Sequence, residues 1–301
     1  MTDQPLVSVI INCYNSEKYL RETIDSLIAQ TYSNWEAIFW DNCSTDKTAE
    51  IIKSYEEPRF RYYLAEKKTP LGEARNLAMK KMQGNYLCFL DSDDVWNVSF
   101  IDSCVTAASS SSSVGLVYCR YENFSKNKKW LSSGDENPGV IPSNVFIKKY
   151  NIGMSGAIVR KKILDDNNIG FNPLFSLIED YDFFLRVASV SQVYYLDTPL
   201  MKYRIHEGNS SRSKNWPVEL GLLIDQIKNN SDYMPLKAHI TIVENLQGYY
   251  SLMAALDNRE KKKALHLIWE QFPRDKSVIR YILPVVFGKD SYLFFRRALK
   301  K

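Results

Sequence analysis

The chain is predicted to be an α/β protein: a mostly parallel mixed sheet flanked by helices, followed by a C-terminal helical region. Three observations carry this expectation. The first hundred residues alternate short β-branched or aromatic runs with amphipathic helical stretches. Polar clusters stand at the ends of three of those runs. From Pro217 onward the apolar spacing is helical.

Leu6–Ile11 is a continuous apolar run, as expected of a strand buried on both faces. Ser16 is expected to cap the next helix, whose Leu20, Ile24, Leu27 and Ile28 share a face. Trp35–Trp40 reads as a second strand ending at Asp41. Ser44 or Thr45 is then expected to cap a second helix with Ile51, Ile52 and Tyr55 inward. Arg61–Leu64 reads as a third strand, and Gly72 opens a third helix with Ala74, Leu77, Ala78 and Met82 on one side. Tyr86–Leu90, a fourth strand, runs into Asp91-Ser92-Asp93-Asp94. Beyond it, Ser109–Ser113 is a low-complexity link, Val114–Glu122 a strand and residues 123–145 a long loop. Ala157–Arg160 is a short strand and Asp180–Val190 a helix, with Gln192–Leu196 and Met201–Ile205 as two further strands. Helical spacing follows through Leu220–Ile227, Ile242–Met253 and Leu265–Phe272. A break at Asn209-Ser210-Ser211 and Pro217 sets the expected domains at residues 1–212 and 213–301, the first with halves of about 1–100 and 101–212.

With 45% hydrophobic and 25% charged residues, the 301-residue chain has the composition of a folded globule rather than a disordered one. A net charge of +4 does not describe a polyanion binder, and no nucleic-acid partner is expected. The charge is uneven. Residues 212–301 carry 16 Lys and Arg against 9 Asp and Glu, a net of +7, which leaves residues 1–211 at −3. The end, Tyr292 to Lys301, sets aromatic beside basic residues. That suits a peripheral membrane contact, with packing on the catalytic part or a dimer contact as the plain alternatives. The five cysteines form no C-x-x-C pair and read as buried free thiols in a reducing compartment. No secretory signal is read at the N-terminus, so a cytoplasmic location is expected. The apolar run Tyr281–Phe287 is interrupted by Pro284 and is too short to span a bilayer.

Ligands of parallel sheets bind beyond the carboxyl ends of the strands, which is where Asn12–Asn15, Asp41–Asp46 and Asp91–Asp94 fall. Asp91 and Asp93, two apart after a buried strand, can aim at one hard divalent cation that shares its shell with substrate phosphates. Asp41 can accept a hydrogen bond from a base or ribose, and Tyr14 can stack on a base. Gly72 and Arg75 open a helix whose start favours anions, and Arg75 can bind a diphosphate bidentately. Glu179-Asp180-Tyr181-Asp182 suits a helix dipole and also offers a general base. His206, after a strand pattern, can ligate a metal or donate to a phosphate. His239 and His266 read as structural.

In this order, these stretches resemble glycosyltransferase family 2, the inverting family on the Rossmann-like GT-A fold, over residues 5–211. The matching text is Val7-Ser8-Val9-Ile10-Ile11-Asn12-Cys13-Tyr14-Asn15, Asp41-Asn42-Cys43-Ser44-Thr45-Asp46, Gly72-Glu73-Ala74-Arg75-Asn76, Phe89-Leu90-Asp91-Ser92-Asp93-Asp94, Glu179-Asp180 and Tyr203-Arg204-Ile205-His206. One motif departs: the family's usual Asp-Asp-Gly-Ser is here Asp41-Asn42-Cys43-Ser44. The resemblance implies transfer of a sugar from a nucleotide-diphosphate sugar, UDP favoured, to an acceptor hydroxyl. It implies Mn²⁺ or Mg²⁺ as cofactor and a glycan or lipid-linked acceptor in surface polysaccharide synthesis, at the inner face of the cell membrane. Self-association is left open. By the same resemblance Asn12, Tyr14, Asn15, Asp41, Gly72, Arg75, Asp91 and Ser92 serve the donor, and Asp93, Asp91 and His206 the metal. Asp180 is the base, and Met154, Gly156 and Glu179 lie on the acceptor side. Two rival readings are an aspartate-nucleophile phosphatase using Asp91 and a non-catalytic sugar-nucleotide binder. A dehydrogenase is disfavoured because no G-x-G-x-x-G follows the first strand.

Overall fold

The computed structural model describes residues 4–134, 137–207 and 216–258, with 260, 262–264 and 266–267. The chain divides into two units, Met1–Ser210 and Ser211–Lys301.

The first unit begins with β1 (Val7–Cys13), α1 (Leu20–Ile28), β2 (Trp35–Asp41), α2 (Thr48–Lys53), β3 (Phe60–Leu64), α3 (Leu71–Met79) and β4 (Tyr86–Phe89). The four strands run parallel in the order β3-β2-β1-β4. Val7, Val9, Ile10, Ile11, Ile38, Phe39 and Leu87 are wholly inaccessible. Successive strand residues point to opposite faces, so burial of neighbours on both faces explains the unbroken apolar runs. β5 (Val95–Trp96), α4 (Phe100–Ser109), β6 (Val114–Phe124), β7 (Lys129–Leu131), β8 (Gly139–Ile141), α5 (Ser143–Lys149), β9 (Ala157–Arg160), α6 (Lys161–Asp166), α7 (Glu179–Val190) and β10 (Gln192–Arg204) complete the unit. The sheet continues β4-β9-β6-β10-β5, with β7 on β6 and β8 on β10. β9 is antiparallel to both β4 and β6, and this makes the sheet mixed.

Several expectations need correction. Ser16 does not cap α1 with its side chain; its hydroxyl accepts from Tyr14 N, and a turn through Tyr19 intervenes before α1. Neither Ser44 nor Thr45 caps α2; Asp46 Oδ1 does the equivalent work by accepting Thr48 N at 3.0 Å. Residues 123–145 are not a single loop, because β7, β8 and the start of α5 lie within them. The two strands expected at 192–205 are one, β10, which runs through Pro199 by register irregularities on either side of it. Cys13, Cys88, Cys104 and Cys119 are buried and free, and Cys43 is free and partly exposed.

In the second unit, α8 (Trp216–Asn229) buries Leu220, Leu223, Ile224 and Ile227. A 3₁₀ segment, Ser231–His239, leads into α9 (Ile240–Asp257). Leu265, Ile268, Trp269 and Phe272 of the third helical stretch, and the end Tyr292–Lys301, lie outside the described residues. Among the described residues no helix is long and apolar enough to cross a membrane.

Candidate active site

β1 lies between β2 and β4, so their carboxyl ends stand side by side. Cys13 pairs with Asp41, and Leu90 N donates to Ile10 O at 3.0 Å. The loops are cross-tied. Asn15 Oδ1 accepts Thr45 N at 2.8 Å, Asn15 N donates to Ser44 Oγ at 3.0 Å, and the hydroxyls of Ser16 and Ser92 meet at 2.8 Å. Asp41 is 1% exposed; its Oδ1 accepts Ser44 N and its Oδ2 the Tyr62 hydroxyl, at 2.8 and 2.7 Å. It therefore fixes the turn, and only its remaining lone pairs are left for a ligand. Cys43, where glycine was expected, has φ 67°, and its Sγ–H donates to Ala65 O at 3.3 Å. The left-handed geometry of the motif survives without the residue best suited to it. Tyr14 is 46% exposed, with Lys68 Nζ 3.6 Å from its ring centre. Asn12 Nδ2 is buried without a partner.

At the end of β4 the three acids have different surroundings. Asp94 is fully buried and accepts from Ser155 Oγ at 2.7 Å and from Arg204 N at 3.0 Å. Burial first, then the charges of Asp91 and Asp93, hold its carboxyl well above the usual carboxylate range. It pins the Met154–Gly156 turn and the end of β10 to this loop. Arg204 adds a bond from Nε to Asp93 O at 2.7 Å. Asp93 Oδ2 lies 2.7 Å from His206 Nε2, joining sequence positions 113 apart. Asp91, solvent-accessible on one side, contacts Arg75 at 3.3 Å. Its carboxyl is pushed up by burial against the lowering effect of Arg75, with Asp93 adding to the rise.

Asp180 is the second residue of α7, and its position is set from α3. The Arg75 guanidinium, 4% exposed, bridges Asp91 and Glu179 at 3.3 Å each. It lies 5.7 and 5.4 Å from the ring centres of Phe89 and Phe171. Asn76 closes a two-bond ring with the Phe171 backbone, Nδ2 to O and N to Oδ1, both at 2.8 Å. A Cβ on Gly72 would stand 3.4 Å from Phe171 Cβ and 3.8 Å from Glu179 Cβ. The Phe171 ring stacks on Phe183 of α7 at 4.5 Å. Arg186 further clamps Asp182 at 2.6 Å and the Gly170 carbonyl. Helix α3 thus carries the start of α7. Burial raises the Asp180 carboxyl above its ordinary value, opposed by Arg75 and by bonds that favour the charged form. The Tyr150 hydroxyl is buried without a well-formed hydrogen bond, yet lies near enough to Asp180 to lower its pKa.

The structure brings Asn12, Tyr14, Asn15, Asp41, Asp91, Ser92, Asp93 and His206 to adjoining strand ends and loops, and Arg75 joins Glu179 to Asp91. Gly72 and Arg75 face α7 instead of standing open as a bare anion site. Met154 and Gly156 are buried; their turn reaches the crevice through Ser155, which also accepts from Asp91 N at 3.0 Å. Asn76, Asp94 and Arg204 were within quoted stretches and Ser155 lies between the two residues named for the acceptor side, but the roles of all four depend on partners distant in sequence. Tyr150 had no sequence signal. Among the described residues no three His, Cys, Asp or Glu side chains form a ready metal cluster. The Asp93–His206 pair, with Asp91 beside it, nevertheless fits a hard cation that draws one or two protein ligands and completes its shell with phosphate oxygens and water.

The family described as Glycosyl transferase family 2 matches residues 8–167. The Escherichia coli protein named UDP-Glc:alpha-D-GlcNAc-diphosphoundecaprenol beta-1,3-glucosyltransferase WfaP is 31% identical over 212 residues, 69% of this chain and 81% of that one. TuaG of Bacillus subtilis, named for teichuronic acid biosynthesis, is 42% identical over 95 residues, 31% of this chain and 38% of its own length. The crystal structure of S. aureus TarS 1-349 with UDP-GlcNAc superposes with a TM-score of 0.70 at 20% identity, covering 95% of this chain and 89% of that one. The mannosyltransferase PcManGT from Pyrobaculum calidifontis, in complex with GDP-Man and Mn2+, superposes at 0.60 with 16% identity, covering 99% and 81%. These structures share the fold.

Proposed function

Since the chain belongs to glycosyl transferase family 2 and is a glycosyltransferase using a nucleotide-sugar donor, we propose that it inverts the anomeric centre in a single displacement with Asp180 as base. The acceptor oxygen attacks the anomeric carbon while the bond to the diphosphate breaks, and its proton passes to Asp180. The nucleoside diphosphate leaves with the bonding electrons, so negative charge grows on its phosphate oxygens. Asp93 and His206, with Asp91, would hold Mn²⁺ or Mg²⁺, which when bound supplies charge neutralisation at those oxygens. Tyr14 stacks on the base, while Asn12, Asn15, Asp41 and Ser92 line the nucleotide floor. Arg75 and Gly72 keep the donor carboxylates and the base-bearing helix in register. Met154 and Gly156 shape the acceptor side through Ser155.

One observation supports this reading most: the Arg75 guanidinium joins Asp91 to Glu179, the residue before Asp180, at 3.3 Å on each side. Donor-side and acceptor-side acids thus share one buried cation. The resting pKa of Asp180, raised yet opposed by Arg75, suits a base that must be ionised near neutral pH and still take a proton. The acceptor we infer is a lipid-linked glycan met at the inner membrane face, within surface polysaccharide synthesis and with UDP as the nucleotide. The test is transfer from an α-linked UDP-sugar followed by NMR of the product. A β-linked product with free UDP is expected. Retention of configuration would overturn the single displacement.

A further inference from the structure

The β6–β7 hairpin stands beside the mouth of the crevice. β6 runs parallel to β10 with Phe124 opposite Arg204. Ile205 N donates to Phe124 O at 2.8 Å, and the Arg204 guanidinium lies 4.4 Å from the Phe124 ring centre. The next residue is His206, bonded to Asp93. The chain then turns, Ser125 N donating to Lys128 O at 2.9 Å, and returns as β7 with Trp130 opposite Asn123 and Leu131 opposite Glu122. Lys126, Asn127, Lys128 and Lys129 are all exposed. Trp130 and Leu131 are 40% and 47% exposed. Lys128 Nζ lies 5.2 Å over the Trp130 ring, and among the described residues none of the three lysines has an ion-pair partner. Glu122, the acid on the paired strand, is half-buried.

Two apolar side chains are far too few for a stable protein interface, which buries about 1,000 Å² or more. They suffice for an interfacial contact, where a Trp sits at headgroup level and Lys stems let their ammonium groups reach anionic lipid. We propose that this hairpin docks the enzyme on an anionic membrane surface, Lys126, Lys128 and Lys129 among the headgroups and Trp130 with Leu131 at the interface. Because the hairpin adjoins His206, docking presents the crevice to a substrate carried in the bilayer. That purpose rests on the lipid-linked acceptor proposed above; the docking itself does not, and it is read without any acceptor.

The experiment is co-sedimentation of the full chain with phosphatidylcholine vesicles with and without about one-third phosphatidylglycerol, at low salt. Each lysine near an anionic surface is worth roughly fivefold in partitioning. The combined variant Lys126→Gln, Lys128→Gln, Lys129→Gln is therefore expected to lose at least about tenfold of the phosphatidylglycerol-dependent binding. Brominated lipid is expected to quench part of the tryptophan emission, and Trp130→Phe to abolish that part. Unchanged thermal melting of each variant confirms folding. Wild-type binding that ignores phosphatidylglycerol, or a triple variant that binds like wild type, would overturn the proposal. In the second case the basic C-terminal unit carries the binding. If the vesicles behave as expected but transfer to a lipid-linked sugar fails, the docking stands and the acceptor reading falls.

Discussion

On the floor of the crevice, Asn12 and Asp41 lie at the ends of paired strands and Asp91 two residues past β4, whereas Asp180 stands in the first turn of a helix tied to that floor by side chains. The floor inherits its geometry from the backbone of a sheet buried on both faces. The base inherits its geometry from Gly72, Arg75 and Asn76 of α3 acting on Phe171 and Glu179. Donor binding and proton removal should therefore be separable by mutation, even though Arg75 touches both.

The largest separation is expected from Asp180→Asn. Turnover should fall by about 10²–10⁴-fold while the donor KM holds. The same variant should melt slightly higher at neutral pH. A carboxyl whose folded pKa is raised binds its proton more tightly in the folded state, so its ionised form costs stability once the pH passes the ordinary carboxylate range. The gain should fade as the pH falls below that range, where the acid is protonated in both states. Equal melting at neutral pH in the two proteins would argue that Asp180 is not desolvated.

Asn76→Ala opens the ring to Phe171 without touching donor or acceptor. A loss of kcat on the order of 10²-fold is expected, since a displacement of about 1 Å at a reacting group has that effect. The donor KM should not move. If KM and kcat move together, the floor depends on α3 more than the geometry indicates. Arg75→Gln sharpens the point through pH. Removing the cation that lowers the Asp180 pKa should shift the acid limb of kcat/KM to higher pH, because the base must be ionised. An unmoved limb would take Asp180, or its coupling to Arg75, out of the mechanism. The smallest effect belongs to the floor: Cys43→Gly relieves a left-handed φ of 67°, worth about 1 kcal/mol, offset by the lost contact to Ala65 O. Melting should therefore rise slightly or stay level, and a clear drop would show that the thiol bond governs.

The same contrast explains what could be read from the amino-acid sequence. β1, β2 and β4 were legible because burial on both faces leaves continuous apolar runs with polar residues at their ends. β7 and β8 were hidden, since three-residue edge strands such as Lys129–Leu131 carry exposed side chains and no clear alternation. β10 looked like two strands because Pro199 interrupts the pattern, and the register irregularities that admit it cannot be read locally. Arg75 was visible as a cation one turn into a helix. That it is buried follows from Phe171 and Glu179, about a hundred residues later. Asp93 and His206 were each suspected, but their 2.7 Å pairing depends on β10 ending beside β4's loop, which Asp94 enforces through Arg204 N.

The division between floor and base is tested most directly by calorimetric titration with Mn²⁺ and UDP, or whichever of GDP and dTDP the wild type binds, on three variants. Asp180→Asn and Asn76→Ala are expected to bind the nucleotide as the wild type does while transferring sugar far more slowly, and Asp93→Ala to lose the metal-dependent part of binding. Intact metal-dependent binding in Asp93→Ala, or binding lost in Asp180→Asn, would contradict the assignment of donor and base to separately held halves.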